Sequence, residues 1–146
     1  NKTPDILDNA YVIVDFHNGV RALLDLCMFA ENSTNQEELC AVGDIGKIET
    51  AVPSASSGKN SSELRIGYRK NGKTLNEIVE VDEEILKVGN HHGSTYYEHI
   101  SFLDSIKNSK PAAVSLNDGL QAVAIGEAAE ISIKENRIVK MDEFKI

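Results

Sequence analysis

The alternation of hydrophobic and polar positions predicts β-strands over the first two-thirds of the chain. Two apolar runs, residues 11–17 and 20–29, lie on either side of Asn18-Gly19. Because asparagine and glycine adopt positive φ angles at low cost, this dipeptide predicts a tight turn between two antiparallel strands. The first hairpin is the strongest local signal in the sequence.

Two further pairs of apolar runs follow, each pair interrupted by a glycine-containing turn. The runs and turns are residues 39–42 and 47–52 around Gly43-Asp44-Ile45-Gly46, and residues 64–69 and 74–81 around Asn71-Gly72. Consecutive hairpins predict an antiparallel sheet, because connections this short can only join antiparallel neighbours. We therefore expect a mostly antiparallel sheet of about six strands.

Both faces of the first hairpin carry apolar side chains. Val12, Val14 and Phe16 share one face of its first strand, whereas Tyr11 and Ile13 share the other. An antiparallel sheet with one wet face alternates cleanly between apolar and polar positions. We therefore expect both faces of the sheet to be covered, one by helices of this chain and the other by another domain or subunit. A closed barrel or a sandwich core is the alternative.

The last third of the chain changes to helical spacing, with two candidate capping boxes. These are Thr95-x-x-Glu98, before a helix to about residue 108, and Ser115-x-x-Asp118, before a helix from about residue 118 to residue 134. In the second helix, Ala122, Gly126 and Ala129 form a strip of small residues that would let it lie close to the sheet. Residues 137–141 could add an edge strand. Strands followed by helices predict an α+β fold with two helices on one face.

Composition and charge narrow the class of partner. The 146 residues, 41% hydrophobic and 26% charged, are typical of a single globular domain spanning residues 1–146. The net charge of −8 argues against a nucleic-acid partner, because an acidic surface repels phosphates. No apolar run approaches the ~20 residues that cross a bilayer, and no signal peptide is visible. We expect a cytoplasmic protein in which Cys27 and Cys40 are reduced and buried.

One polar cluster, residues 89–98, suggests a ligand-binding role. Its sequence is Gly-Asn-His-His-Gly-Ser-Thr-Tyr-Tyr-Glu, and it leads into the first predicted helix. A helix N-terminus offers free backbone N–H groups, and imidazole and hydroxyl groups can hydrogen-bond to a sugar or polyol. His91, His92 and Tyr96 are therefore candidate substrate-binding residues. The alternative is a loop whose histidines cap the helix, pack or face water.

The sequence contains no motif that would make the chain a catalyst by itself. It has no G-x-G-x-x-G, no Walker loop and no G-x-S-x-G, so neither a dinucleotide site nor a nucleophile elbow is predicted. The cysteines and histidines lack the spacing of a zinc site. We assign no catalytic, cofactor-binding or metal-binding residue.

Several short motifs occur in order along nearly the whole chain. They are Asp8-Asn9-Ala10, Val14-Asp15-Phe16-His17-Asn18-Gly19, Val42-Gly43-Asp44-Ile45-Gly46-Lys47-Ile48-Glu49, His92-Gly93-Ser94, the helical stretch 97–106 and the run 115–133. Their order and spacing together resemble the oxidoreductase family of glucose-fructose oxidoreductase, inositol dehydrogenase and MocA.

The resemblance implies a two-domain parent enzyme. In that family an N-terminal Rossmann domain holds NAD or NADP, and the C-terminal domain resembles that of glyceraldehyde-3-phosphate dehydrogenase. The open face of its sheet commonly makes subunit contacts. The implied reaction is hydride transfer between the nicotinamide and a sugar or polyol carbon. This chain would be the substrate-side and oligomerisation domain, a homo-oligomer through the sheet face, with its Rossmann partner outside the chain.

Two motifs of that family are missing from the sequence. Glu-Lys-Pro, whose lysine assists catalysis in the family, does not occur, and no aspartate has a histidine four residues later. The chain is therefore expected to begin downstream of the helix that carries Asp-x-x-x-His, and to be inactive alone. A non-enzymatic homo-oligomerisation module and a carbohydrate-binding module are the alternatives. The lack of tryptophan counts against the second, because sugars stack on aromatic rings.

Overall fold

A computed structural model describes residues 6–88 and 91–145, which fall into two compact units. The first unit draws on Asn1–Ala30 and Pro111–Ile146, and the second is Glu31–Lys110. The strands are β1 (Asn9–Asp15), β2 (Arg21–Cys27), β3 (Asn35–Val42), β4 (Gly46–Pro53), β5 (Ser61–Tyr68) and β6 (Thr74–Glu80). The α-helices are α1 (Glu83–Val88), α2 (Ser94–Lys107) and α3 (Leu116–Glu135), with short 3₁₀ turns at Ala55–Ser57, His91–Gly93 and Met141–Glu143.

The α+β class and the antiparallel pairing are confirmed, but the strands do not form one sheet. Within the described residues, β1 and β2 make a two-stranded sheet, and β3 to β6 make a four-stranded sheet in sequential order. The helices predicted to share one face also divide, since α3 belongs to the first unit and α2 to the second. Each unit therefore combines one sheet with its own helical segment.

The turn of the first hairpin is built around Gly19 alone. The Phe16 N–H donates to the Val20 carbonyl at 2.9 Å, and the Gly19 N–H donates to the Phe16 carbonyl at 2.9 Å. Gly19 has a φ of 83°. The Asn18 side chain instead accepts a hydrogen bond from the Val20 N–H at 3.1 Å. Asparagine thus stabilises the turn through its side chain and leaves the left-handed position to glycine.

One face of this hairpin is apolar, as predicted, whereas the face that carries Tyr11 and Ile13 also carries Asp15, Arg21 and Asp25. Val12 and Val14 are half-buried. On the opposite face, Tyr11 is 77% exposed, Ile13 is 73% exposed, and Leu23, which pairs with Ile13, is 66% exposed. The first unit therefore presents an uncovered apolar surface, which we name the outer hairpin face and define by Tyr11, Ile13 and Leu23.

The four-stranded sheet has one polar face, so the expectation that both faces of the sheet are apolar is wrong here. The register aligns Cys40, Glu49, Arg65 and Asn76 in one row across the strands. Glu49 accepts a hydrogen bond from Lys47, the next residue along this face of β4, at 2.7 Å. Charged side chains of this kind need water or a polar partner, so this face is unsuited to packing in an apolar core. The opposite face carries the apolar row Ala41, Ile48, Ile66 and Leu75.

The expected burial of both thiols is also wrong. Cys27 and Cys40 are free and exposed. Cys40 lies on the polar face of the four-stranded sheet, and Cys27 pairs with Asn9 on the same side of the hairpin as Tyr11. An apolar run predicts a strand, but which of its faces is covered depends on neighbours distant in sequence.

The capping box predicted for α3 is confirmed atom by atom. The Ser115 Oγ accepts a hydrogen bond from the Asp118 N–H at 3.1 Å, and the Asp118 carboxylate accepts one from the Ser115 N–H at 2.8 Å. Hydrogen bonds from the Ser115 side chain and backbone hold the pKa of the Asp118 carboxyl below its usual value. The helix ends at Asn136, which takes a left-handed φ of 50°.

The buried side of α3 differs from the predicted strip of small residues. Ala124 and Ala128 are buried, one turn apart, whereas Ala122 and Gly126 of the predicted strip are exposed. The residues with the lowest exposure follow the three- and four-residue spacing of a helical stripe. They include Gln121, Ala124, Ile125, Ala128 and Ile131.

The edge strand predicted at residues 137–141 is wrong, because Arg137 engages an ion pair there instead. Its Nη1 and Nη2 donate to the two carboxylate oxygens of Glu143 at 3.0 and 2.9 Å. The bidentate pair stabilises the 3₁₀ turn at Met141–Glu143. The Arg137 guanidinium, helped by the Lys140 N–H, lowers the pKa of Glu143 to about 2. Across the described residues, no helix has both the length and the apolar character to cross a bilayer.

Candidate functional site

The polar cluster predicted as a ligand site opens α2 in the second unit, and it adopts an unusual backbone. Gly89 and Asn90 lie outside the described residues. His91, His92 and Gly93 have φ angles of 51°, 55° and 86°, so three consecutive residues are left-handed. This region costs a residue with a Cβ free energy, and such conformations persist only where their surroundings impose them.

Gly93 shows how the surroundings impose this backbone. It is buried, and a Cβ placed on it would lie 3.0 Å from Ile85 Cγ2 and 3.0 Å from Val81 Cγ1. Gly93 is also the N-cap of α2, with no side-chain hydrogen bond to the helix. The capping box predicted at Thr95 is therefore wrong, because the glycine turn starts the helix at Ser94 and places Thr95 inside its first turn.

His91 is held by two residues of β3. Its Nδ1 lies 2.6 Å from Glu37 Oε1 and 3.0 Å from the Gln36 side-chain amide. A carboxylate can only accept hydrogen bonds, so Nδ1 donates its proton to Glu37, and the Gln36 amide nitrogen, itself a donor, lies beside Nδ1 without sharing that proton. The side chains of His91 and Glu37 are 48% and 55% exposed. The ring is thus oriented by protein on one side and reachable on the other.

His92 is more enclosed than His91. Its side chain is half-buried, and its Nε2 atom is buried without a hydrogen-bond partner among the described residues. Buried polar atoms in folded proteins nearly always have a partner, so this nitrogen has unused hydrogen-bonding capacity.

Tyr96 lies in the first turn of α2 and is half-buried. Its ring packs edge-on against Tyr97, with ring centroids 5.7 Å apart and planes at 79°. Within the described residues, no hydrogen bond joins Tyr96 to either histidine. The structure therefore places the three predicted residues on one short segment and leaves each with a separate set of neighbours.

Sequence reasoning missed Gln36 and Glu37. Both precede the apolar part of β3 and look like ordinary surface residues of a strand. They are 55 and 54 residues from His91 in sequence, and only the folding of β3 beside the 91–93 turn brings them together. No local motif could have indicated this pairing.

The chemistry available at the site is hydrogen bonding by side chains. His91 Nε2 can accept a hydrogen bond, His92 Nε2 can donate or accept one according to its tautomer, and the Tyr96 hydroxyl can do both. A metal ion is unsupported here, because the described residues contain no group of three histidine, cysteine, aspartate or glutamate side chains positioned to bind one. Vicinal hydroxyl groups both donate and accept hydrogen bonds, so they match this set of side chains.

Comparison with known proteins confirms the resemblance found in the motifs. A family model described as the C-terminal alpha/beta domain of an oxidoreductase family matches residues 1–141 of the 146. No curated protein matches the chain. A domain described as C-terminal implies an N-terminal partner domain in members of the family. The match covers both structural units, and the chain therefore belongs to the oxidoreductase family of glucose-fructose oxidoreductase, inositol dehydrogenase and MocA.

Proposed function

We propose that this chain is the substrate-side domain of an enzyme that transfers hydride between NAD or NADP and a carbon of a sugar or polyol. The match of residues 1–141 to the family's C-terminal domain carries the proposal. The sequence lacks the G-x-G-x-x-G that a dinucleotide site requires. Cofactor binding is therefore assigned to a preceding Rossmann domain, in an arrangement like that of glyceraldehyde-3-phosphate dehydrogenase.

In this proposal, His91, His92 and Tyr96 bind the substrate's hydroxyl groups. The Glu37 carboxylate fixes the His91 tautomer, so that Nε2 accepts a hydrogen bond from a hydroxyl. The buried His92 Nε2 gains the partner it lacks. Interactions of this kind orient a reacting carbon, which raises the rate without a proton-transfer group on this chain.

The proton of the oxidised hydroxyl has to be taken up by a group within hydrogen-bond reach. The chain lacks Glu-Lys-Pro and Asp-x-x-x-His, the motifs that carry proton transfer in the family. We therefore assign this step to the preceding domain. The cofactor supplies the hydride chemistry when it is bound, and this chain supplies the substrate contacts.

The test is an assay of the protein encoded by the complete reading frame. We expect a G-x-G-x-x-G followed by Glu-Lys-Pro upstream of residue 1, and nicotinamide reduction with at least one member of a panel of polyols and aldoses. The 146-residue chain alone should give no heat of NADH binding in calorimetry. A frame that opens near residue 1, or NADH binding by the chain alone, contradicts the proposal.

A second proposed role, homo-oligomerisation, is favoured by the outer hairpin face. Tyr11, Ile13 and Leu23 are all more than half exposed on one side of a two-stranded sheet. Contiguous apolar surfaces are uncommon on monomers and usually mark an interaction site. We propose that a second copy of the chain covers this face, and this role is compatible with the first.

Leu23→Glu is expected to weaken self-association by roughly tenfold or more, since burying a leucine stabilises a contact by about 1.5–3 kcal/mol. Asn76→Glu, on the polar face of β6, introduces the same charge on a strand and should leave association unchanged. Sedimentation over a concentration series measures both. A wild-type chain that stays monomeric at high concentration argues against the role.

A further inference from the structure

A shallow hollow of about 320 Å³, wide open to solvent, lies at one end of the polar face of the four-stranded sheet. Nine residues line the hollow, and no acidic side chain is among them. The lining includes Lys47, Gly67, Tyr68, Arg69, Lys73 and Thr74.

The hollow exists because a glycine occupies the middle of a cross-strand row. Val42, Lys47, Gly67 and Thr74 are successive partners across all four strands. A Cβ built on Gly67 would meet no atom within 4 Å, so the space above this residue is open. Lys47 and Thr74 flank it, and the β5–β6 turn, residues 69–73, lies beside it.

The charge at this turn is opposite to that of the chain. The net charge is −8, whereas residues 69–73 contain Arg69, Lys70 and Lys73 and no acid. Among the described residues, none of these three cations lies within 4.0 Å of a carboxylate oxygen, whereas Lys47 is hydrogen-bonded to Glu49 at 2.7 Å. The uncompensated charge at the hollow therefore comes from Arg69 and Lys73.

Hydrogen bonds to carbonyl groups hold the Arg69 side chain and the backbone of this turn in place. The Arg69 N–H donates to the Ile45 carbonyl at 2.9 Å, and its Nη2 donates to the Gly43 carbonyl at 3.2 Å. The Tyr68 N–H donates to the Lys73 carbonyl at 2.8 Å. The guanidinium is thus tied to the neighbouring turn by one nitrogen, and its remaining N–H groups are available for an anion.

We propose that this hollow binds the phosphate group of a small molecule. A phosphate is a compact dianion that accepts hydrogen bonds from several directions. Arginine, lysine and a threonine hydroxyl are the donors that proteins use for it. A neutral sugar would gain nothing from two uncompensated cations, and a planar carboxylate would use fewer of the donors. This phosphate site is separate from His91, His92 and Tyr96, the residues proposed to bind hydroxyl groups.

Titration of the 146-residue chain with inorganic phosphate at low ionic strength tests the proposal, because screening is then weak. We expect saturable binding at one site, with chemical-shift changes at the amides of Gly67 and Gly72. Arg69→Gln and Lys73→Gln should each weaken binding roughly tenfold, as the loss of a charge-assisted hydrogen bond does. Lys107→Gln, which removes a lysine from α2 in the same unit, should leave binding unchanged.

Gly67→Val provides a second, steric test. Valine suits a strand, and open space surrounds the Cβ position, so the sheet should fold while the side chain occupies the space between Lys47 and Thr74. Phosphate binding should then be lost, with the amide spectrum of the rest of the sheet preserved. No saturable binding to the wild-type chain, equal loss in Lys107→Gln, or equal affinity for malonate would each overturn the proposal.

Discussion

Gly93→Ala is expected to destabilise the chain by about 2–5 kcal/mol. Gly93 has a φ of 86°, and the left-handed region costs an alanine about 1–2 kcal/mol. The added methyl would also lie 3.0 Å from Val81 and from Ile85, and overpacking of this kind costs about 1–3 kcal/mol. Urea unfolding measures the sum.

The matched control is Gly126→Ala, which makes the same substitution in the middle of α3. Gly126 has helical backbone and open space around the Cβ position, so alanine should stabilise the chain by about 0.5–1 kcal/mol. We expect Gly93→Ala to lower the free energy of unfolding and Gly126→Ala to raise it. If Gly93→Ala unfolds at the same urea concentration as the wild type, the left-handed turn does not constrain the fold.

The two helix starts show which signals a sequence carries. Ser115 and Asp118 are three residues apart, and each side chain accepts a hydrogen bond from the other's backbone N–H. The capping box can therefore be recognised from four consecutive residues. Thr95 and Glu98 have the same spacing, but Gly93 starts the helix earlier. That outcome depends on Val81 and Ile85, which pack where a Cβ would stand. The hydrogen bonds of the capping box were predictable from the sequence, whereas the packing of Val81 and Ile85 at Gly93 was not.

The sheets show the same contrast between local contacts, which were predicted, and long-range contacts, which were not. Turn glycines and alternating residues predicted the three hairpins β1–β2, β3–β4 and β5–β6, because hairpin contacts are local in sequence. The split into two sheets, and the polar row through Glu49 and Arg65, depend on register and on which strands stay unpaired. The pairing of Arg137 with Glu143 likewise replaced a predicted strand with an ion-paired turn.

The substrate-binding role of His91, His92 and Tyr96 stays a prediction. These residues were selected because polar residues that precede a helix stand out from the apolar pattern. The Glu37 carboxylate that orients His91 was not found, since 54 residues separate the two and no motif links them. The family assignment came from the order of many weak motifs, and the match over residues 1–141 confirms it.

The second large effect is expected at His91 in the protein encoded by the complete reading frame. His91→Asn should raise the KM for a polyol substrate roughly tenfold, which corresponds to about one lost hydrogen bond of 1.4 kcal/mol. Asparagine is the suitable replacement because it tolerates the left-handed backbone that this position requires. Glu37→Gln should raise KM in the same direction by releasing the ring from its fixed tautomer.

His99→Asn is the control, because it removes an exposed histidine from α2 without touching the 91–93 turn. The decisive measurement is the substrate KM of His91→Asn, taken together with the Kd for NADH. A substrate-side domain predicts that KM rises and the NADH affinity stays at the wild-type value. An unchanged KM, or an equal loss of NADH affinity, would contradict the assignment of this chain to the substrate side of a nicotinamide-dependent oxidoreductase.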